Sequence, residues 1–210
     1  MKVDVSADFM TVVNERHSVR KYDPTVQLSK EELEEIIEIA TKAPSSWNLQ
    51  HWKFLVINDR EKKEKLLPIA YHQEQVVQAS AVIAVLGDLE AYKNAEPVYD
   101  AAIKAGYMKE EVKKIMVEQI AQAYETKPYM ARDAAILNAS LASMQLMLAA
   151  KAKGYDTCAM GGFDPDKLVE AFKIPDRYLP VMLISVGKAA KPAHPTVRFP
   201  VEDVTVWNSF

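Results

Sequence analysis

Arg16-His17-Ser18-Val19-Arg20 puts two guanidinium groups and a hydroxyl within five residues. A guanidinium presents a planar fork of donors that pairs with phosphate oxygens, and a serine hydroxyl or backbone N–H supplies a third contact. In extended chain, residues 16, 18 and 20 share one side, because side chains alternate with period two. The spacing therefore predicts that Arg16, Ser18 and Arg20 converge on one anion. Three further stretches carry polar chemistry. Pro44-Ser45-Ser46-Trp47-Asn48-Leu49-Gln50-His51-Trp52 is crowded with amides and hydroxyls that can read the edge of a heteroaromatic ring. Met160-Gly161-Gly162-Phe163 offers paired glycines, through which backbone N–H groups can approach a flat ligand. Arg198, in Thr196-Val197-Arg198-Phe199-Pro200, is a late cation that can close over a phosphate. Each also has an ordinary reading: a solvated arginine pair, a polar loop, a turn and a surface arginine.

Those groups need elements to hold them. Phe9, Val12 and Val13 predict a short helix before Arg16. Ser29-Lys30-Glu31-Glu32 is a capping box that opens a helix with Leu33, Ile36, Ile37 and Ala40 on one face. Residues 52–57 read as a strand, 60–70 as a charged helix with Leu66 and Leu67 inward, and 73–79 as a short helix. The unbroken apolar run 81–86 reads as a strand buried on both faces. Residues 89–130 read as a helical lid or excursion. After a long apolar helix come a strand through 158–160, a helix capped by Asp164 with Pro165 at its first position, and a last core strand 178–186. Residues 188–210 form an extended tail ending in Val204, Val206 and Trp207.

The chain's 210 residues, 49% of them hydrophobic, suit one domain, residues 1–210, with an ample core. Lys and Arg number 26 against 29 Asp and Glu, for a net charge of −3, so neither nucleic acid nor an anionic membrane is the expected partner. The partner should be small. The single cysteine, Cys158, excludes an intrachain disulfide and a cysteine-cluster metal site, and it fits a reducing cytoplasm. Residues Met1–Asp8 lack an apolar core of signal-peptide length, so export is not expected. The uncharged run 134–150 is shorter than about 18 residues and holds Asn138, Ser140, Ser143 and Gln145. It predicts a helix buried on most sides rather than a membrane span. Covering every face of so long a helix calls for a two-fold partner, so a homodimer with 134–150 near its interface is expected. The alternative is the central helix of a monomer.

Taken together and in order, the Arg16–Arg20 motif, Ala43–Trp52, Gly161-Gly162-Phe163-Asp164 and Arg198-Phe199-Pro200-Val201-Glu202-Asp203-Val204 resemble the nitroreductase family of FMN-dependent oxidoreductases. The resemblance spans nearly the whole chain. It implies an α+β fold with a central mixed or antiparallel sheet flanked by helices, in an intertwined homodimer with swapped C-terminal tails. It also implies FMN at each end of the interface. By that resemblance the cofactor is held by the Arg16-His17-Ser18 stretch, with Arg16, Ser18 and Arg198 on the phosphate and Arg20 nearer the pyrimidine edge of the isoalloxazine. Pro44, Ser45, Ser46 and Asn48 come from the other subunit, and Gly161 and Gly162 offer N–H groups around N5 and O4. Gln75 and Thr196 stand where many relatives carry lysine, and Gly161 where many carry an acid. Fewer cations should weaken FMN binding or lower its potential.

The implied chemistry is a two-electron exchange in which NADH or NADPH reduces the flavin by hydride transfer to N5. After the nicotinamide leaves, a nitroaromatic or quinone is reduced at the same site. No nucleophile set is needed, and none of His17, His51, His72 and His194 has an evident partner in the sequence. Enone reduction, dehalogenation or flavin breakdown on the same scaffold, and a non-catalytic FMN-binding role, remain as alternatives.

Overall fold

In a computed structural model of the chain, which describes residues 8–210, four strands form one sheet in the order β1-β2-β4-β3. These are β1 (Trp52–Ile57), β2 (Ala81–Asp88), β3 (Asp156–Met160) and β4 (Tyr178–Gly187). All three pairings are antiparallel, which selects the antiparallel form of the expected sheet over the mixed one. The reading of Met1–Asp8 as free of an export signal falls, except for Asp8, outside the described residues.

Every residue of β2 is buried, as its unbroken apolar run requires. Its side chains alternate between two cores. Ala81, Ile83 and Val85 enter one, and Val82, Ala84 and Leu86 the other. The first core is closed by α2 (Lys30–Ala40), through Leu33, Ile36 and Ala40, and by α7 (Met130–Ala152). The second is closed by α3 (Arg60–Ile69), α4 (Gln75–Gln78) and α8 (Pro165–Phe172), through Leu66, Ile69, Val76 and Leu168. The result is a helix–sheet–helix sandwich. α7 lies so close to the sheet that a Cβ on Gly87 would sit 2.9 Å from the Cβ of Ala135.

The cap chemistry appears as read. Ser29 Oγ accepts from Glu32 N while Glu32 Oε2 accepts from Ser29 N, and Glu32 also takes the Tyr155 hydroxyl. Asp164 accepts from Lys167 N with Pro165 in the first turn. The short helix α1 (Phe9–Glu15) buries only Val12, and its N-cap is Asp8. Between β2 and α7 the excursion holds α5 (Ala95–Lys104) and α6 (Glu110–Thr126), with a third core around Leu49, Ala95, Tyr99 and Ile120.

By length and composition α7 could cross a bilayer, but ten of its residues are buried against the protein. Within one chain α7 is buried on most sides, as expected, and one stripe is left open. Leu137, Leu141 and Met144, at helical spacing, are 59%, 42% and 41% exposed.

One ion pair clamps the end of β2 to the residue before β4 and extends by a hydrogen bond to the excursion. Arg177 grips Asp88 with two hydrogen bonds, of 2.7 and 2.6 Å, and reaches Asn94 Oδ1 at 3.0 Å. Asp88 is buried, so losing the guanidinium strands a charge away from water. Arg177→Ala should cost about 3 kcal/mol of unfolding free energy in denaturant titration; a loss below about 1 kcal/mol would contradict this account of the pair.

Candidate functional site

α1 ends at Arg16, which adopts extended backbone, and the chain then runs along the outer edge of β3. Val19 N donates to Thr157 O at 3.0 Å, Ser18 pairs in parallel with Thr157, and Tyr22 bridges to Ala189. The Tyr22 hydroxyl meets Ser185 Oγ at 2.9 Å, and burial pushes the phenol up, keeping it protonated. The segment thereby covers an edge strand that would otherwise offer unpaired backbone. Its side chains sort as period two demands. Val19 is buried, and with His17 it lines a cavity of about 530 Å³ beside Glu15, Lys151 and Asp156. Ser18 and Arg20 face the other way, toward Cys158, where both oppose the upward push of burial on the thiol. Arg16 and Ser18 are half-buried and Arg20 is exposed. His17, read with the Arg16–Arg20 group, thus points away from Ser18 and Arg20.

The loop after α2 is strained. Trp47, Asn48 and Gln50 have φ of 53°, 57° and 53°, left-handed values that cost non-glycine residues on the order of 1 kcal/mol each. Neighbouring elements hold it there. Asn138 Oδ1, from α7, accepts Ser46 N at 2.8 Å, and Asn138 Nδ2 donates to Ala134 O. Ser45 Oγ accepts Gln50 N. From the excursion, Tyr99 donates to Trp47 O at 3.1 Å and Asn94 to Leu49 O at 2.9 Å. Leu49 plugs the third core. Pro44 and Asn48 are left exposed and Ser45 and Ser46 half-buried, which presents the loop's polar groups outward.

A second strained corner follows α3, where Tyr71 and His72 have φ of 52° and 57°. Beyond it Gln75 is buried, not the exposed helix residue its polarity allows, with Nε2 on Gln73 Oε1 and Met160 Sδ. Lys63 is also buried and ties α3 to the end of α4 through Ala79 O at 2.6 Å. Gly161 and Gly162 follow β3, exposed, and neither N–H enters a backbone hydrogen bond among the described residues. A Cβ on Gly161 would meet nothing within 4 Å. Both glycines lie at ordinary negative φ, so it is close approach, not backbone strain, that favours them.

Arg198 lies apart in the tail, exposed, with Nη1 on Val197 O. Around it Val197, Phe199 and Trp207 are 94%, 79% and 82% exposed. The structure therefore brings Ser18 and Arg20 to β3, whose last residue precedes Gly161, and sets the 44–50 loop and Arg198 on separate elements.

Sequence reading missed Asn94, Tyr99, Asn138 and Gln73 as supports. Of these, Asn138 alone carried a signal, as an amide inside an apolar helix. It also left His51 without a partner, whereas His51 Nε2 meets the Tyr124 hydroxyl at 2.9 Å.

A sequence profile of the Nitroreductase family matches residues 13–188. YodC of Bacillus subtilis, a candidate NAD(P)H nitroreductase, is 54% identical over 198 residues, covering 94% of this chain and 98% of that one. A crystal structure of a candidate nitroreductase in complex with FMN, from Exiguobacterium sibiricum, superposes with a TM-score of 0.92. It is 46% identical and covers 98% of this chain and 99% of its own. An enone reductase of CLA biosynthesis from Lactiplantibacillus plantarum is 34% identical over 206 residues, 96% of this chain and 94% of that one. The chain belongs to the nitroreductase family.

His51 gives the site's support a pH dependence. Burial holds its imidazole down, to about 4, against the opposing pull of Asp88. The unfolded chain, with an ordinary histidine near 6.5, binds this proton more readily. The resulting stability is complete above about pH 6.5 and is lost as pH falls toward 4, by on the order of 3 kcal/mol. Urea unfolding at pH 7 and pH 4.5 should show that loss shrinking in His51→Gln; an equal loss in both proteins would refute the assignment.

Proposed function

We propose that the chain is an FMN-dependent oxidoreductase that takes reducing equivalents from NADH or NADPH and delivers them to electron-poor acceptors such as nitroaromatics or quinones. The observation that carries this reading is the Arg16–Arg20 segment paired to the outer edge of β3 at Ser18, with two exposed glycines after β3 whose N–H groups make no backbone hydrogen bond among the described residues. The residues fit the group. A phosphate matches the Arg16 and Arg198 forks with the Ser18 hydroxyl, and a flat ring with a polar edge matches a turn that has no side chains.

Bound FMN supplies hydride acceptance and donation at N5, so one site serves donor and acceptor in turn. The chain's own residues bind and tune. Arg20 places a fixed cation where it favours an electron-rich ring, and the Gly161 and Gly162 N–H groups do the same at the O4 edge. Gln75 gives a neutral amide rather than a cation. Water supplies the protons.

The acting unit in this reading is a cytoplasmic homodimer. The α7 stripe, Phe9 and Met10 of α1, and the apolar tail leave large apolar side chains exposed, the kind of surface a second copy would cover. In a dimer, Pro44, Ser45, Ser46 and Asn48 serve the second copy's site, and the tail brings Arg198 to it. The excursion around α5 and α6 forms the lid.

Two measurements test the reading. Anaerobic NADH or NADPH should bleach the flavin of the FMN-loaded protein, and initial rates with both substrates varied should give parallel double-reciprocal lines. Intersecting lines would reject the shared site, and absence of bleaching would leave a non-catalytic FMN binder. The similarity to the enone reductase favours a second acceptor class, α,β-unsaturated ketones. Reoxidation of the bleached protein by such a ketone, and not by a nitroaromatic, would select it.

A further inference from the structure

Gly161 and Gly162 form a turn with no steric lock. Nothing lies within 4 Å of a Cβ at Gly161, and at Gly162 the nearest atoms are Gln73 Nε2 at 3.6 Å and Tyr71 Cδ2 at 3.8 Å. Two adjacent glycines can exchange peptide orientations at little cost, so whatever fixes this turn does so by hydrogen bonding.

Gln73 is placed to do it. Its Nε2 donates to Gly162 O at 2.7 Å and to Ala70 O at 3.1 Å. Both acceptors are carbonyl oxygens, so only the amide's NH₂ end can face them. Its Oε1 accepts from Gln75 Nε2 at 3.0 Å, and Gln75 is buried against Met160, the last residue of β3. The left-handed Tyr71 and His72 turn the chain at the end of α3, and Asp164 N on Ile69 O, at 2.9 Å, ties the two corners together again.

The effect reaches the glycine N–H through two peptide planes. In a trans peptide the C=O and the following N–H point in opposite directions. With Gly162 C=O held toward Gln73, Phe163 N–H points back and donates to Gly161 O at 3.2 Å. Gly161 C=O thereby faces Phe163 N–H, and Gly162 N–H points the opposite way, away from that bond.

We propose that Gln73 is a positioning residue whose side-chain amide fixes the direction of the Gly162 N–H and so helps set the reduction potential of the bound flavin. This rests on the reading of the Gly161–Gly162 turn as the flavin's polar edge. A donor held toward that edge favours the electron-rich reduced ring, and one free to turn away does not.

The test compares the FMN-loaded wild type with Gln73→Met, which keeps the length but has no donor, and Gln73→Glu, which sets a carboxylate against a carbonyl oxygen. Midpoint potential, FMN dissociation constant and melting temperature are measured for each. In Gln73→Met the reduced-to-oxidised equilibrium should fall about tenfold, about 30 mV for a two-electron couple. In Gln73→Glu it should fall further, and further at pH 8 than at pH 5.5. A lowered melting temperature with an unchanged potential in both variants would overturn the proposal and leave Gln73 merely structural. If the wild type takes up no FMN, the flavin reading fails and takes this proposal with it. Should Gln73→Met not fold, the potential of Gln73→Glu and its pH dependence decide alone.

Discussion

The hydrogen bond from Val19 N to Thr157 O, 3.0 Å long, stitches an otherwise irregular segment to the outer edge of β3. Once that pairing is made, period-two alternation does the rest. His17 and Val19 face one side, and Ser18 and Arg20 the other, beside Cys158. The same pairing gives an edge strand a partner, so a binding surface and protection of the sheet come from one interaction. The two ends of the proposed cofactor are then addressed by one structural unit, cations along the added segment and free N–H groups where β3 ends.

Around this unit the chain places backbone conformations that most side chains resist, and buried polar groups hold them. Trp47, Asn48 and Gln50 stay left-handed because α7 takes the Ser46 amide and the excursion donates to the Trp47 and Leu49 carbonyls. Tyr71 and His72 do so at a corner where Lys63, Gln73 and Gln75 are bonded inward. Strain concentrated at two loops, each rigidly supported, is what a pre-organised ligand surface requires. The excursion is therefore a scaffold for the 44–50 loop as well as a candidate lid.

Much of the frame was legible in sequence because it depends on local chemistry. The capping box at Ser29, the Asp164-Pro165 start of α8 and the doubly buried β2 each follow from a few adjacent residues. The supports were not legible, because their partners are far apart in the chain. His51 and Tyr124 are 73 residues apart, and Gln73 and Gly162 are 89 apart. Gln75 reads as polar and surface-seeking, and only the Met160 and Gln73 contacts make its burial tolerable. The left-handed Trp47 contradicts the preference of an aromatic residue, so no propensity argument finds it. The exposed stripe on α7 was hidden by an excess of apolar residues, since composition cannot say which face a second copy would cover.

The central claim is that the Arg16–Arg20 segment along β3 and the Gly161–Gly162 turn hold a flavin. The most direct measurement is the visible absorption spectrum of the purified protein, followed by heat release and identification of the chromophore. A yellow protein releasing FMN in equimolar ratio to the chain is the predicted result. A colourless protein that added FMN cannot restore would contradict it.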